Sequence, residues 1–366
     1  MSFKSKIAAL ASLLFIYGCG KQSIYDSSVP VEVIDFSALE KVPISDFESG
    51  KKKEYVLLKD FDGKKLFGRI DKAKIRDGKI YIADDRIRTL IVYDRFGNYI
   101  ATVGEHGNGP GEYVNLSDFD VHKNGDVYVL DSRLKKMIHY DARYKYVDEH
   151  KLAFDADVLA VLDNDSLLFG LSSWNEGEGA GNKIALTDKR GKTGRSYLPY
   201  DDFTDPSFWI SDYQFAVADN GFAYNQTIDN NIYLLSSDGD LKEIIRIDFG
   251  KEDVPNNDKT NIESKLRNYD NYSLIRKILT VTNRYIIGFV WLHRETKLFI
   301  IDRTGKKCYL SDTIADIDRR VGCGCSAGNI ISYIDSSSNE LPDSVNRFVK
   351  DNEGIVLVLQ ISGNAK

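Results

Sequence analysis

Residues 72–100 read KAKIRDGKIYIADDRIRTLIVYDRFGNYI and residues 119–147 read FDVHKNGDVYVLDSRLKKMIHYDARYKYV. The two stretches follow one pattern, and aligned on Gly78 and Gly125 they lie 47 residues apart. Each has an apolar run, an Asp-Gly or Asn-Gly turn, a β-rich run ending in Asp (Asp84, Asp131) and a short polar loop. A second β-rich run ending in Asp (Asp94, Asp141), a turn and a last strand complete it. Asp-Gly and Asn-Gly supply the positive φ that tight hairpins need. A repeat of 40–50 residues holding four short strands is the pattern of a β-propeller blade.

Outward from these copies the pattern weakens but continues. A third unit starts at Asp157, a fourth occupies 213–249 with its turn at Asn220-Gly221, and a fifth occupies 275–310. A sixth is broken: NIISYIDSS (329–337), a loop, then EGIVLVLQISG (353–363). The N-terminal runs VPVEVIDF (29–36) and EYVLLKD (54–60) have no blade of their own. Lending N-terminal strand material to the C-terminal blade would shut the ring and remove free sheet edges. The expected fold is therefore all-β: a six-bladed β-propeller with N-/C-terminal strand ring closure. A short helical insertion is expected near 258–279, because Ile262, Leu266 and Tyr269 fall at i, i+4, i+7 after an Asp258 or Thr260 cap.

Composition agrees. Of 366 residues 42% are hydrophobic, and 21 Tyr and 18 Phe against 7 Pro and 2 Met favour strands. Net charge is −6 and the longest basic run is Lys51-Lys52-Lys53. Sequence-independent nucleic-acid binding needs a basic stripe, so no nucleic-acid partner is expected. At the N-terminus Lys4 and Lys6 precede the apolar run Ile7–Tyr17, too short to span a bilayer. Ile16-Tyr17-Gly18-Cys19 resembles a bacterial lipobox, with Tyr17 bulkier than usual there; the competing reading is an ordinary signal peptide with an incidental Cys. The lipobox implies a signal peptide over 1–18, lipidation at Cys19 and a tether over 19–30, which leaves one propeller domain expected over 31–366 from the repeats. It also implies a bacterial cell-envelope location, with the outer membrane the expected site and membrane contact through the lipid alone. Cys308, Cys323 and Cys325 remain; a bridge from Cys308 to either of the others, or free buried thiols, are both open, and the spacing lacks the pairs of a zinc site.

The stretch Val103–Tyr113 (VGEHGNGPGEY), followed by DFDVHKNGDVYVLDS, resembles an NHL-type repeat. With the lipobox, the chain is similar in organisation to six-bladed propeller lipoproteins of the Bacteroidetes type. That resemblance is specific only across 75–147, and it implies a fold and an envelope address rather than an activity. The glycine-rich stretches at 104–111 and 177–181 lack the following helix that a phosphate cradle needs, and read as linkers between sheets.

In a propeller the loops between second and third strands, and the linkers between blades, share one face around the channel. Here those segments carry a mixed aromatic, basic and acidic set. Trp174, Trp291, His293, Arg294, Arg86, Arg133 and His106 are the candidate ligand-binding residues. Flat rings stack on the apolar faces of sugars or peptides, and bidentate groups hold hydroxyls or carboxylates. The favoured function is a non-enzymatic module binding a glycan or peptide, or docking on an outer-membrane protein. The alternative is a metal-dependent hydrolase or lactonase in which Asp84, Asp131 and Asn225 hold a hard cation such as Ca²⁺ in the channel. No other cofactor is expected. No catalytic residue is assigned: the five His are scattered and no G-x-S-x-G elbow exists.

Overall fold

The computed structural model describes residues 28–59, 66–208, 213–226, 228–311, 320–326, 329–338, 341–352 and 354–361. Its strands form four separate four-stranded sheets, one ten-stranded sheet and a small two-stranded ribbon. The ten-stranded sheet is two antiparallel meanders joined through their first strands, Phe215–Ala218 and Ser273–Val281, which pair in parallel at Val217–Thr280 and Ala218–Val281. The described residues thus hold six four-stranded units arranged as a β-propeller. Unit one runs from Lys72–Arg76 to Tyr99–Thr102, unit two from Asp118–Val121 to Tyr146–Lys151, and unit three from Ala156–Val161 to Thr193–Pro199. Unit four runs from Phe215–Ala218 to Leu241–Asp248 and unit five from Ser273–Val281 to Lys307–Leu310.

Unit six is composite. Arg320–Ser326, Asn329–Ile334 and Ile355–Ile361 come from the C-terminal part, and Lys53–Leu58 adds antiparallel to Ile355–Ile361 as the outer strand. Ring closure by strand exchange is therefore present, and EYVLLK is the segment that supplies it. VPVEVIDF does not take part: Val31–Asp35 pairs in parallel with Leu241–Asp248, on the outer edge of unit four. Glu40–Pro43 likewise lies parallel on Lys307–Leu310 of unit five. Both cover edges that would otherwise present unpaired N–H and C=O groups.

The repeat is built on turn chemistry. At the third hairpin of unit one, the Asp94 carboxylate accepts the backbone N–H groups of Phe96 and Asn98 at 2.8 and 2.9 Å. Asp141 and Asp188 do the same for Arg143 and Lys145, and for Arg190 and Lys192. Ser236 takes the role in unit four. Gly104 opens the linker to unit two at φ 66°, where a Cβ would strike the Tyr140 hydroxyl. Tyr113 and Tyr140 donate from there to the Val103 and Gly111 carbonyls.

Apolar cores lie between neighbouring units. Tyr81, Leu90 and Val92 of unit one meet Phe119, Val129 and Ile138 of unit two. Val56, Tyr333 and Leu357 of unit six meet Ile80, Ile82 and Tyr93 of unit one, so the seam at the chain ends is packed like the others.

Two details of the insertion need correction. The short helical insertion expected near 258–279 is present before unit five, but it is not one regular helix. It consists of 3₁₀ turns at Asn256–Asp258 and Leu266–Asn271 around a single α turn at Ile262–Lys265, and the strand Ser273–Val281 follows. Ile262 and Tyr269 are buried but Leu266 is exposed, because the change to 3₁₀ geometry at Leu266 breaks the 3.6-residue phase. Neither Asp258 nor Thr260 caps it; the carboxylate of Asp205, 57 residues away in sequence, accepts the Ile262 N–H at 2.9 Å. The Cys308 thiol is free and buried rather than bridged, and burial pushes its pKa up to about 12. The loop of unit six also contains a helix, Asp343–Asn352, that seats Val345 and Val349 on Val356 and Val358.

Candidate functional site

The loops between second and third strands, together with the linkers between units, form one face of the disc. The channel opens there into a cavity of ≈ 420 Å³, inside the range of small-ligand sites. Unit one contributes Arg69, Asp71, Lys72 and Asp85; unit two Ser117 and Asp118; units three and five add Asp157 and Lys277. A second, smaller pocket of ≈ 60 Å³ adjoins it between units three and four. Trp174, Tyr200, Phe203 and Phe208 give it aromatic walls. Asp157 and Tyr213 line both cavities and form the wall between them. Tyr213 donates to Asp157 Oδ2 at 2.5 Å and Ser172 Oγ donates to Oδ1 at 2.7 Å. Burial pushes the Asp157 carboxyl up, against these two donors.

The predicted binding residues are spread unevenly over this face. Trp174 lies in the small pocket and is 39% exposed. Trp291 lines neither cavity; its indole N–H donates to the Tyr269 carbonyl at 2.9 Å and its ring packs against the cluster of Ile262, Tyr269 and Leu274. His293 and Arg294 form the tight turn of unit five, both at positive φ (46° and 76°), and point to Glu252 (3.2 Å) and Asp270 (2.9 Å). His106 meets Arg88 at 2.6 Å on the exposed linker, while Arg86 and Arg133 are exposed loop residues away from both cavities. The structure therefore brings Trp174 to a pocket and leaves the other six outside. Cys19 lies outside the described residues.

The metal candidates have other work. Asp84 Oδ2 accepts the Gly68 and Arg69 N–H groups at 3.0 and 3.1 Å, and Oδ1 accepts those of Arg86 and Ile87. Asp131 repeats this one unit on, with Val114 and Asn115 on Oδ2 and Leu134 on Oδ1. Each stitches its second-to-third loop to the preceding linker. Asn225 donates to the Asp229 and Asn231 carbonyls from a different unit. Asp84 does not converge with Asp131 and Asn225. Among the described residues it lies instead with Asp71 and Asp85, with ligand atoms within 4.8 Å of one another. Arg69 already presents its guanidinium to Asp71, at 2.7 Å, and to Asp85.

Within that cluster Asp71 is perturbed. Burial, and then the neighbouring Asp85 carboxylate, raise its pKa to about 6. An unfolded Asp titrates near ~4. The folded state therefore binds the proton more tightly, and the stability this gives is complete below about pH 4 and lost as pH rises through 6. Removing the ionisable group, as in Asp71→Asn, should stabilise the protein by about 1 kcal/mol at pH 8, after discounting for its half-exposed position. Below pH 4 the variant and the parent should unfold together. Urea titrations at the two pH values check this; a loss of stability at pH 8 would show that the Arg69 contact outweighs the burial.

Sequence reading passed over most of the pocket. Lys183, Lys259 and Tyr213 were not singled out, although Tyr200, Phe203 and Phe208 stand in the aromatic linker LPYDDFTDPSFWIS. Residues 31–360 match the family described as Domain of unknown function (DUF4934). The chain belongs to the DUF4934 family. No curated protein matches it. Among solved structures, this DUF4934 chain superposes on a Bacteroides fragilis protein described as exported, at TM-score 0.72 and 16% identity, covering 91% of this chain and 99% of that one. A DUF4221-family protein from Bacteroides vulgatus follows at TM-score 0.51 and 10% identity, covering 85% and 96%. At these identities the likeness is one of fold. Among the described residues no helix of the DUF4934 chain is long and apolar enough to cross a membrane.

Proposed function

We propose that the protein is a binding module of the bacterial cell envelope, a six-bladed propeller with NHL-like repeats whose channel face takes a glycan or peptide. The observation that carries the reading is the pair of adjoining cavities at the channel mouth. A polar chamber of ligand size is separated from an aromatic pocket only by the Asp157–Tyr213 pair. Chambers of this kind, with a few convergent polar groups beside aromatic walls, suit polyhydroxylated or peptide ligands. The lipobox at Cys19 and the likeness in fold to an exported Bacteroides protein support an envelope location, with lipid anchorage to the outer membrane. A rigid disc on a lipid tether also suits docking on an outer-membrane protein.

The test is a glycan and peptide array probed with the purified chain, with Trp174→Ala beside it. Stacking on an exposed indole contributes about 1 kcal/mol, so the variant should bind several-fold more weakly while melting like the parent. Equal binding by the two proteins would remove the aromatic pocket from the site.

A further inference from the structure

We infer that the ligand of the aromatic pocket carries a carboxylate, that Lys259 receives it, and that the ligand class is an acidic saccharide. This rests on the binding reading given above and adds the chemistry of the ligand.

Lys183 is buried, and its ammonium is satisfied within the fold by Asp229 Oδ2 at 2.8 Å and the Tyr233 hydroxyl at 3.0 Å. Asp229 in turn accepts from Tyr233 and Asn231. Asp205 is occupied by Ser207 on one oxygen and by the Ile262 N–H on the other, which pins the insertion in place. Asp157 is occupied by Tyr213 and Ser172. Lys259 differs from all of these. It projects from the insertion into the pocket, with its ammonium 5.2 Å from the Phe203 ring centroid. Its backbone N–H donates to the Asn256 carbonyl, but among the described residues its ammonium makes no hydrogen bond or ion pair; Asp229, Asp201 and Asp253 act on it only through space. Burial pushes its pKa down, a cost that an anion placed beside it would reverse.

An ammonium held against an aromatic wall, with carboxylates near it but none in direct contact, has its donors open to an anion, and hydrogen bonds between charged groups are the strong ones in a partly dry site. The space beside it is ≈ 60 Å³, against ≈ 420 Å³ in the chamber. It suits a substituent, with the body of the ligand lying outside on Trp174 or across the Asp157–Tyr213 wall. The rest of the lining favours a sugar over a peptide. The Asp201 carboxylate is at hand for hydroxyls, as is the amide oxygen of Gln226, whose Nε2 donates to the Tyr200 hydroxyl at 2.7 Å, and the indole offers a flat surface to a pyranose ring. Loops supply most of the lining, with Asp157 on the strand Ala156–Val161 and Lys183 on the strand Asn182–Thr187.

The experiment measures binding of a panel of uronic-acid oligosaccharides to the purified full chain, each beside its own methyl ester. Esterification removes the charge and leaves the ring. At least one acid should bind ten-fold or more tighter than its ester, and raising the salt should narrow the gap. Lys259→Met should abolish the preference, and Lys259→Arg should keep it. Lys259 contributes to no core cluster, so both variants should melt like the parent. Equal affinity for acid and ester, or a preference that survives Lys259→Met, would overturn the assignment. So would binding confined to neutral glycans or to acidic peptides. In those cases a Trp174→Ala defect would still uphold the pocket as a site, whereas loss of both effects would reject the binding reading itself.

Discussion

Deleting residues 355–366 should yield a chain that is insoluble or rapidly digested. The segment contains Ile355–Ile361, the third strand of unit six, which pairs with Asn329–Ile334 on one side and with Lys53–Leu58 on the other. Its removal leaves Lys53–Leu58 without a sheet partner among the described residues and strips Asn329–Ile334 of one of its two. Val356, Leu357 and Val358 are fully buried, and each such side chain contributes about 1.5–3 kcal/mol. Together with the lost ladder this approaches the whole stability of an ordinary domain, about 5–15 kcal/mol. The damage also spreads sideways. Leu357 belongs to the core shared with Ile80, Ile82 and Tyr93 of unit one, so unit one loses its neighbour as well. Limited proteolysis and thermal melting of the truncated chain give the answer. A soluble protein that melts like the parent would mean that the propeller does not depend on the strand that closes it.

That closure was legible because strands near the two ends lacked partners, and a propeller has a place for them. What could not be read was which N-terminal strand fills it. VEVID and KEYVLL are both strand-like, but only pairing register distinguishes a closing strand from one laid along an outer edge. A parallel edge strand such as Val31–Asp35 has no hairpin turn to announce it. The repeat itself was legible for the opposite reason: Asp94, Asp141 and Asp188 hold their turns with side-chain acceptors, and that chemistry shows in the sequence. The same residues misled at Asp84 and Asp131. Asp is both a hard-cation ligand and a loop-stitching acceptor, and only the structure shows the backbone amides they hold. Of the pocket, Trp174 was visible as an exposed aromatic in a long loop. Lys259 was not, since it stands in the polar run GKEDVPNNDKTN, where nothing local distinguishes it from a solvated lysine.

Asp120→Ala should destabilise the protein by about 3–5 kcal/mol, a large effect for one surface-poor side chain in a disc of this size. Asp118 and Asp120 lie on the first strand of unit two and are both buried. Each clasps three units together. Asp118 takes Lys72 of unit one at 2.6 Å on one oxygen and the Leu159 N–H of unit three at 2.9 Å on the other. Asp120 takes Lys74 and, at 2.8 Å, the Val161 N–H. Burial works to raise the Asp120 carboxyl, but Lys74, Lys72 and the Val161 amide outweigh it and hold the pKa below the usual value. Removing the carboxylate strands both a partly buried ammonium and a buried N–H, which is why breaking such a pair costs more than making it contributes. Adding Lys74→Met to Asp120→Ala should recover most of the loss, leaving about 1–2 kcal/mol for the unpaired Val161 N–H. The pH dependence follows from the lowered pKa. The clasp contributes fully above the unfolded value of ~4 and fades as pH falls through the folded value, so parent and variant should converge in strong acid. Denaturant unfolding of the parent, the single variants and the double variant measures the coupling. A single variant within 1 kcal/mol of the parent at pH 7, or a double variant no better than Asp120→Ala, would show that inter-unit packing alone holds the first three units in the ring.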